Sequence, residues 1–479
     1  MKSMIQERAD WCISRQRRWG LPIPVFYCAD CGKPVCSDDT IAAVSKLFGE
    51  KGSNAWYEME ASDILPKGFA CPHCGKSAGF TKEEDTLDGW FDSGSTHFAS
   101  MQKDQGFWPA TVYMEGLDQY RGWFQSSLLT AVGALGKGAP FTECVTHGWT
   151  VDGEGKAMHK SLGNGVDPAE IFQKYGADLI RLWAGSADYH VDVRCSDAIF
   201  KQLSQTYLKF RNTARYCLGN LDGFDPNGLT APAEMLELDR WAITRLNALI
   251  EKCEAAYRNY EFHVVSHAVN DFCVVDLSAF YFDIIKDRLY CGDDAGRRSA
   301  QTALWIILDT MTKLFAPILA FTCDEIWLSM PHKEGDDPRN VVLNEMNKPF
   351  TQYALDAAAM EKWDKVIALR DDVNKALEDA RAGGVKKNQD AEVTLALNEA
   401  DFAAWEAGTF LPGFDTADLA ALFIVSKVTV EQGGADGVSI AVKLSEAPKC
   451  PRCWNHNEHI GTPGHHAELC PRCAKVLGE

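Results

Sequence analysis

A chain of 479 residues, 46% of them hydrophobic, has the length and apolar content to bury several cores, which excludes a small domain held together by crosslinks. Its formal net charge of −19 argues against a protein coated in basic surface, yet leaves room for local basic faces that meet nucleic acid. There is no run of about eighteen apolar residues, and the opening MKSMIQERADWC lacks the apolar stretch of a signal peptide, so the sequence reads as soluble and cytoplasmic, without a membrane partner.

Residues 1–27 and 87–200 read as alternating strands and helices, with a cysteine-bearing module, 28–86, inserted between them. That module carries two CxxC pairs, Cys28/Cys31 and Cys71/Cys74. A two-residue gap lets two thiolates converge on one ion, and a second pair completes a tetrahedron, so the spacing predicts structural zinc rather than loose thiols or redox pairs. Cys36 is a spare sulfur near this site that could replace one ligand. Beyond the module, TVYMEG (111–116) is a short apolar strand, GWFQSSLLTAVGAL has helical periodicity, and FTECVTHGW is the next strand. Strand, helix, strand implies a parallel sheet with its ligand at the carboxyl ends of the strands, where EGLDQ and THGW fall.

The stretch VDGEGKAMHKSLGNGVDP (151–168) follows, rich in glycine, with Lys156 and Lys160 four residues apart and Ser161 directly after the second. It looks built to meet phosphate without matching the common glycine-rich phosphate loops. Asp167 and Pro168 then form an N-cap and first-turn pair for the helices of DPAEIFQKYGADLIRLWA.

From about 200 the strand signals fade. Phe200, Leu203, Tyr207, Phe210, Ala214 and Leu218 recur at three and four residues, giving an amphipathic helix whose other face carries Lys201, Lys209, Arg211 and Arg215. That face reads as solvated surface or as a nucleic-acid contact. Further helical stretches at about 237–260, 262–290 and 298–330 make a bundle over 201–370. Short strands in AEVTLAL, KVTVEQ and VSIAVKL then mark a small α/β junction, 371–446. The last segment, 447–479, carries Cys450/Cys453 and Cys470/Cys473, a second zinc pattern whose four thiolates fill the site ahead of the rival ligands His456, His459, His465 and His466. Of the seventeen cysteines, those outside the CxxC pairs lie singly, mostly in apolar context as at Cys217, Cys253 and Cys323, which suits core thiols in a reducing compartment.

Together these segments resemble one family. DWCISRQRRWGLPIP, DTLDGWFDSGSTH, MEGLDQYRGWFQSSL, THGWTVDGEGKAMHKSLGN, GADLIRLWAGSADY, RNTARYCLGNL, FAPILAFTCDEIW and the CPRCW tail resemble, in order and over nearly the whole chain, the carboxyl-terminal part of class I aminoacyl-tRNA synthetases of the bacterial isoleucyl type. The resemblance implies an α/β fold, the C-terminal half of a Rossmann-type catalytic domain over 1–200, then an all-α anticodon-binding bundle, the small junction and a C-terminal zinc module.

Ala157, Met158, His159, Lys160 and Ser161 take the place of the family's KMSKS loop, with Lys160 at the second lysine as the catalytic candidate. Ala157 replaces the first lysine and His159 the middle serine, and Lys156 lies one position early. The resemblance assigns Glu115, Gly116, Asp118 and Gln119 to the aminoacyl-adenylate, His147 to the adenine, and Trp90 and Trp123 to the walls of the isoleucine side-chain pocket. Without it, Trp90 and Trp123 read as core aromatics and His147 as a hydrogen-bonded core histidine.

The implied substrates are isoleucine and ATP with Mg2+, the implied partner is tRNA(Ile), and the full-length family enzyme is expected to be monomeric. The HIGH motif and editing insertion of the family are missing, since HIGT at 459–462 lies inside the zinc tail. Met1 is therefore expected to be an internal methionine, and the chain a fragment or one half of a split protein that needs a separate N-terminal half; a tRNA-binding remnant is the alternative.

Overall fold

The computed structural model describes residues 2–8, 10–77, 79–434, 437–461 and 466–478, with Lys160 described in its backbone alone. The chain forms two compact units, Met1–Thr150 with Tyr189–Val193, and Val151–Asp188 with Arg194–Glu479.

In the first unit, strands Ala110–Gly116 and Phe141–His147 pair in parallel, from Ala110 opposite Phe141 to Gly116 opposite His147. The connection runs through a tight turn, Leu117–Tyr120, and the helix Trp123–Leu128, which continues as a wider π-wound turn over Leu129–Ala134. Tyr113 and Phe124 are fully buried beneath it, and the Trp123 indole lies flat on the Tyr113 ring, 4.2 Å between centroids at 7°. Ala110, Tyr113 and Phe124 make this small core, with Met101, Tyr120, Trp123 and Phe141 packed against it.

Among the described residues, 2–25 hold only the short helix Lys2–Gln6 and the strand Ser14–Arg15, less than the alternation expected there. Their backbone pairs with 85–88 instead: Ser14 faces Leu87, Arg15 faces Thr86, and the Ile23 N–H bonds Asp85 O. The inserted module builds a sheet with Phe26–Cys28 at its centre, Pro34–Val35 on one side and Phe80–Lys82 on the other. Its helix Asp38–Lys51 starts at a reciprocal cap in which Ser37 and Thr40 bond each other's backbone N–H, and its Val44 shares a buried core with Phe26 and Trp56.

The second unit is mostly helical. Helices Asp197–Gly219 and Glu237–Arg258 fall where the apolar spacing predicts them, the single stretch expected over 298–330 divides at 316–319 into Asp294–Phe315 and Ala320–Ser329, and 262–290 is helical through to Cys291 with a π-wound middle, Phe272–Tyr281. In Asp294–Phe315 every residue from Ser299 to Phe315 is buried, so this is the central helix of the bundle. Its buried Lys313 is balanced by Asp309 at 2.9 Å and Asp336 at 3.6 Å, as a charge out of water must be.

The helices Pro168–Tyr175 and Ala177–Ser186, grouped by sequence with the α/β part, share this core through Ile171, Leu179 and Leu182. Helix Ala357–Asp379 runs unbroken through position 370, where composition suggested a boundary. Strands Ala391–Leu397, Lys427–Gln432 and Val438–Leu444 form one sheet with the first in the centre, parallel to the second and antiparallel to the third. Among the described residues no helix is long and apolar enough to cross a membrane.

Candidate active site and metal clusters

The two parallel strands end side by side. A Cβ on Gly116 would lie 2.8 Å from Asp118 Oδ1 and 3.5 Å from His147 Cε1, so the absence of a side chain is what lets the three groups converge. Asp118 Oδ2 accepts from Gln119 Nε2 at 2.9 Å, and Gln119 Oε1 accepts the Trp123 N–H at 2.9 Å. The exposed His147 donates from Nδ1 to the Gly148 carbonyl at 2.8 Å. Glu115 and Asp118 are also exposed.

The reading of Trp90, Trp123 and His147 as core residues therefore fails for two of them. Trp90 is 44% exposed and His147 is exposed, while Trp123 is half-buried with its Nε1 on Ser93 O at 3.0 Å. Gly122, the residue before Trp123, leaves room for the Trp90 ring, since a Cβ there would fall 2.8 Å from it.

Asp88 was not singled out in the sequence, yet it organises this side of the unit. It accepts from Arg15 Nη2 at 2.7 Å, Trp11 Nε1 at 3.0 Å and the Trp90 N–H at 3.2 Å, and so caps the helix Gly89–Gly94. These groups line a cleft of about 220 Å³ with Arg8, Arg121, Gln125 and Leu129. An Asp-Gly pair ahead of an aromatic helical run was the available signal.

In the second unit, Val151 pairs with Ala157 across a turn. Asp152 Oδ1 accepts the N–H groups of Glu154 and Lys156 at 3.0 and 2.9 Å, and Asp152 Oδ2 takes the Asn164 carboxamide at 2.8 Å. The Asn164 bond, with those N–H groups, holds the Asp152 carboxyl below its ordinary range. Lys156 Nζ lies on Glu154 at 2.7 Å, Met158 packs against the large core, and His159 and Ser161 are exposed. The side chain of Lys160 lies outside the described residues.

Each CxxC quartet closes into a cluster whose sulfurs all lie within 4.8 Å of one another. Cys28 and Cys74 are 3.7 Å apart, Cys31 and Cys71 3.8 Å, and Cys453 and Cys470 3.8 Å. A tetrahedron with Zn–S bonds of about 2.3 Å has edges of about 3.8 Å, so both quartets fit zinc with no open position. Cys36 is exposed and outside the first cluster. His456 is engaged elsewhere, on Ala447 O at 2.6 Å and Asp390 Oδ1 at 3.4 Å; His459 and His466 are not in the cluster, and His465 lies outside the described residues. The single thiols Cys217, Cys253 and Cys323 are buried, and burial pushes Cys253 up to about 12.

Three families match in chain order: residues 1–196 match "tRNA synthetases class I (I, L, M and V)", 239–395 "Anticodon-binding domain of tRNA ligase", and 448–476 "Zinc finger found in FPG and IleRS". This defines a class I tRNA synthetase architecture. The isoleucine–tRNA ligase of Caldanaerobacter subterraneus subsp. tengcongensis is 47% identical over 493 residues, covering 100% of this chain and 52% of that protein. That of Desulforamulus reducens is 47% identical over 496 residues, with 100% and 52% covered. Among solved structures, the LeuRS of Agrobacterium radiobacter in a ternary complex with tRNA and LeuAMS aligns at a TM-score of 0.52 and 21% identity, covering 72% of this chain and 43% of that one, a likeness of fold. The chain belongs to the isoleucine–tRNA ligase family, and it spans about half the length of the curated relatives it matches.

Proposed function

We propose that the chain takes part in ATP-dependent activation of isoleucine to isoleucyl-AMP and its transfer to tRNA(Ile), and that it needs an N-terminal half to do so. The observation that carries this reading is the convergence of Gly116, Asp118 and His147 at the ends of the two parallel strands. In the reaction, a carboxylate oxygen of isoleucine attacks the α-phosphorus of ATP, the bond to the bridging oxygen breaks, and pyrophosphate leaves; Mg2+, when bound, would offset the charge on the phosphate oxygens.

Glu115 and Asp118 offer carboxylates to the ammonium group and ribose hydroxyls, with Gln119 beside them. His147 faces the adenine, and Trp90 and Trp123 wall the branched side chain. Lys160, in the loop Ala157 to Ser161, stabilises the charge that builds on the departing pyrophosphate, more in the transition state than before it. The exposed Lys201, Lys209, Arg211 and Arg215 and the zinc tail meet the tRNA.

A second reading, a tRNA-binding module without catalysis, is favoured by Ala157 at the first lysine position and by Lys156 lying on Glu154. Isoleucine-dependent exchange of pyrophosphate into ATP separates the two. Exchange that needs the added N-terminal half, and that Lys160→Ala lowers by about a hundredfold, supports the catalytic reading. Absence of exchange with tRNA binding intact supports the module.

A further inference from the structure

The charges of the 152–164 stretch are unevenly engaged. Asp152 and Asn164 pin its backbone: besides its bond to Asp152, the Asn164 carboxamide donates to Ala157 O at 3.1 Å and accepts the His159 N–H at 2.9 Å. Position 157 offers no cation, and Lys156 lies on Glu154 in an exposed pair. The imidazole of His159 is exposed and, among the described residues, makes neither an ion pair nor a hydrogen bond.

We propose that His159, presented from a backbone fixed by Asn164, is the second polyphosphate-binding group of this loop, so that its hold on a polyphosphate weakens as pH rises. The inference rests on the reading of 157–161 as the loop that meets ATP's phosphates. An imidazole gains its positive charge by protonation, and an anion beside it favours the charged form, so binding is coupled to proton uptake.

The neighbouring charges do not compete for this role. Asp152 is bound by backbone N–H groups and Asn164, Glu154 by Lys156, and Asp167 by the Ala169 N–H at 2.9 Å that it caps.

The test is calorimetric binding of inorganic tripolyphosphate to the full chain at constant ionic strength, at about pH 6 and about pH 8, for the wild type, His159→Gln, His159→Lys and Lys160→Ala. The ligand's own titration is common to all four proteins. The wild type should lose about fivefold more affinity between the two pH values than His159→Gln, as one charge-assisted contact implies. His159→Lys should restore tight binding at the higher pH.

Equal pH dependence in the wild type and His159→Gln overturns the assignment of His159. If Lys160→Ala weakens binding in that case, the phosphate loop stands and only His159 falls. If Lys160→Ala is also without effect, or if the wild type does not bind at the lower pH, the reading of the loop falls with it.

Discussion

Glycine at 148 and at 122 answers two different neighbours. A Cβ on Gly148 would fall 2.5 Å from the Val191 carbonyl, which is backbone and cannot swing away. One on Gly122 would fall 2.4 Å from Gln119 Oε1 and 2.8 Å from the Trp90 ring, which are side-chain ends. Gly148→Ala should therefore cost at least the upper end of the about 1–3 kcal/mol typical of overpacking, and Gly122→Ala less, with a shifted tryptophan emission; urea unfolding of both variants checks the order.

His97, fully buried between Thr130 Oγ1 at 3.1 Å and Trp108 Nε1 at 3.4 Å, has its pKa lowered by burial, with Lys137 adding to the effect. Its neutral form is the folded one. The stability it contributes is present above the unfolded value of about 6.5 and is lost as pH falls from there through the folded pKa. Thermal unfolding of His97→Asn should show a shallower decline between about pH 7 and about pH 5 than the wild type; parallel curves would remove the claim. The cysteines were legible as ligands because their chemistry lies in their spacing. Asp88 and Asn164 were not, because their roles come from partners brought close by folding, Arg15 lying 73 positions from Asp88.

At the scale of elements, the turn before Ala320–Ser329 is gripped by the helix Ala177–Ser186. The buried Asp178 accepts the Phe321 and Thr322 N–H groups at 3.2 and 2.7 Å, a cap supplied from another helix, and Arg181 holds the carbonyls of Pro317 and Ile318 at 2.8 and 2.9 Å. Asp178→Ala should cost about 1–3 kcal/mol, since two N–H donors, that of Thr322 buried, lose their acceptor. A lowered urea midpoint with an unchanged slope is the expected result.

The zinc tail is fastened to the helix Phe282–Cys291 by a bidentate Arg472–Asp287 pair and by Arg452 Nη1 on Cys291 O at 2.7 Å. Metal-site folding is coupled to binding, so stringent chelation should unfold 447–479 before the bundle; amide signals of the tail that survive zinc removal would contradict this. Helices and strands with a clear period were legible, down to the Asp167 cap and Pro168. The π-wound turns at Leu129–Ala134 and Phe272–Tyr281 were not, because an added residue per turn leaves no mark in an already apolar run.

For the whole molecule, the formal charge of −19 and the exposed row Lys201, Lys209, Arg211 and Arg215 pull in opposite directions on a polyanion. None of the four cations has an ion-pair partner among the described residues, so they remain available to phosphate. If they carry the proposed tRNA contact, log affinity should fall against log salt with a slope of about −3, and reversing two of the charges should flatten it by about half; an affinity insensitive to salt would remove the contact. The order of the parts was legible, because each has its own periodicity. Their grouping was less so: 151–188 share the bundle's core, a matter of which apolar faces meet after folding.

The inserted cysteine module leaves and rejoins its unit through neighbouring strands, Phe26 facing Lys82 and Cys28 facing Phe80. Such an insertion is a pendant: everything between those two strands can change length or be exchanged without altering the spacing of the chain on either side. A variant in which a two-residue Asn-Gly turn replaces 29–79 should keep Ser14 paired with Leu87, making this the place where the first unit can be shortened or can carry a foreign domain.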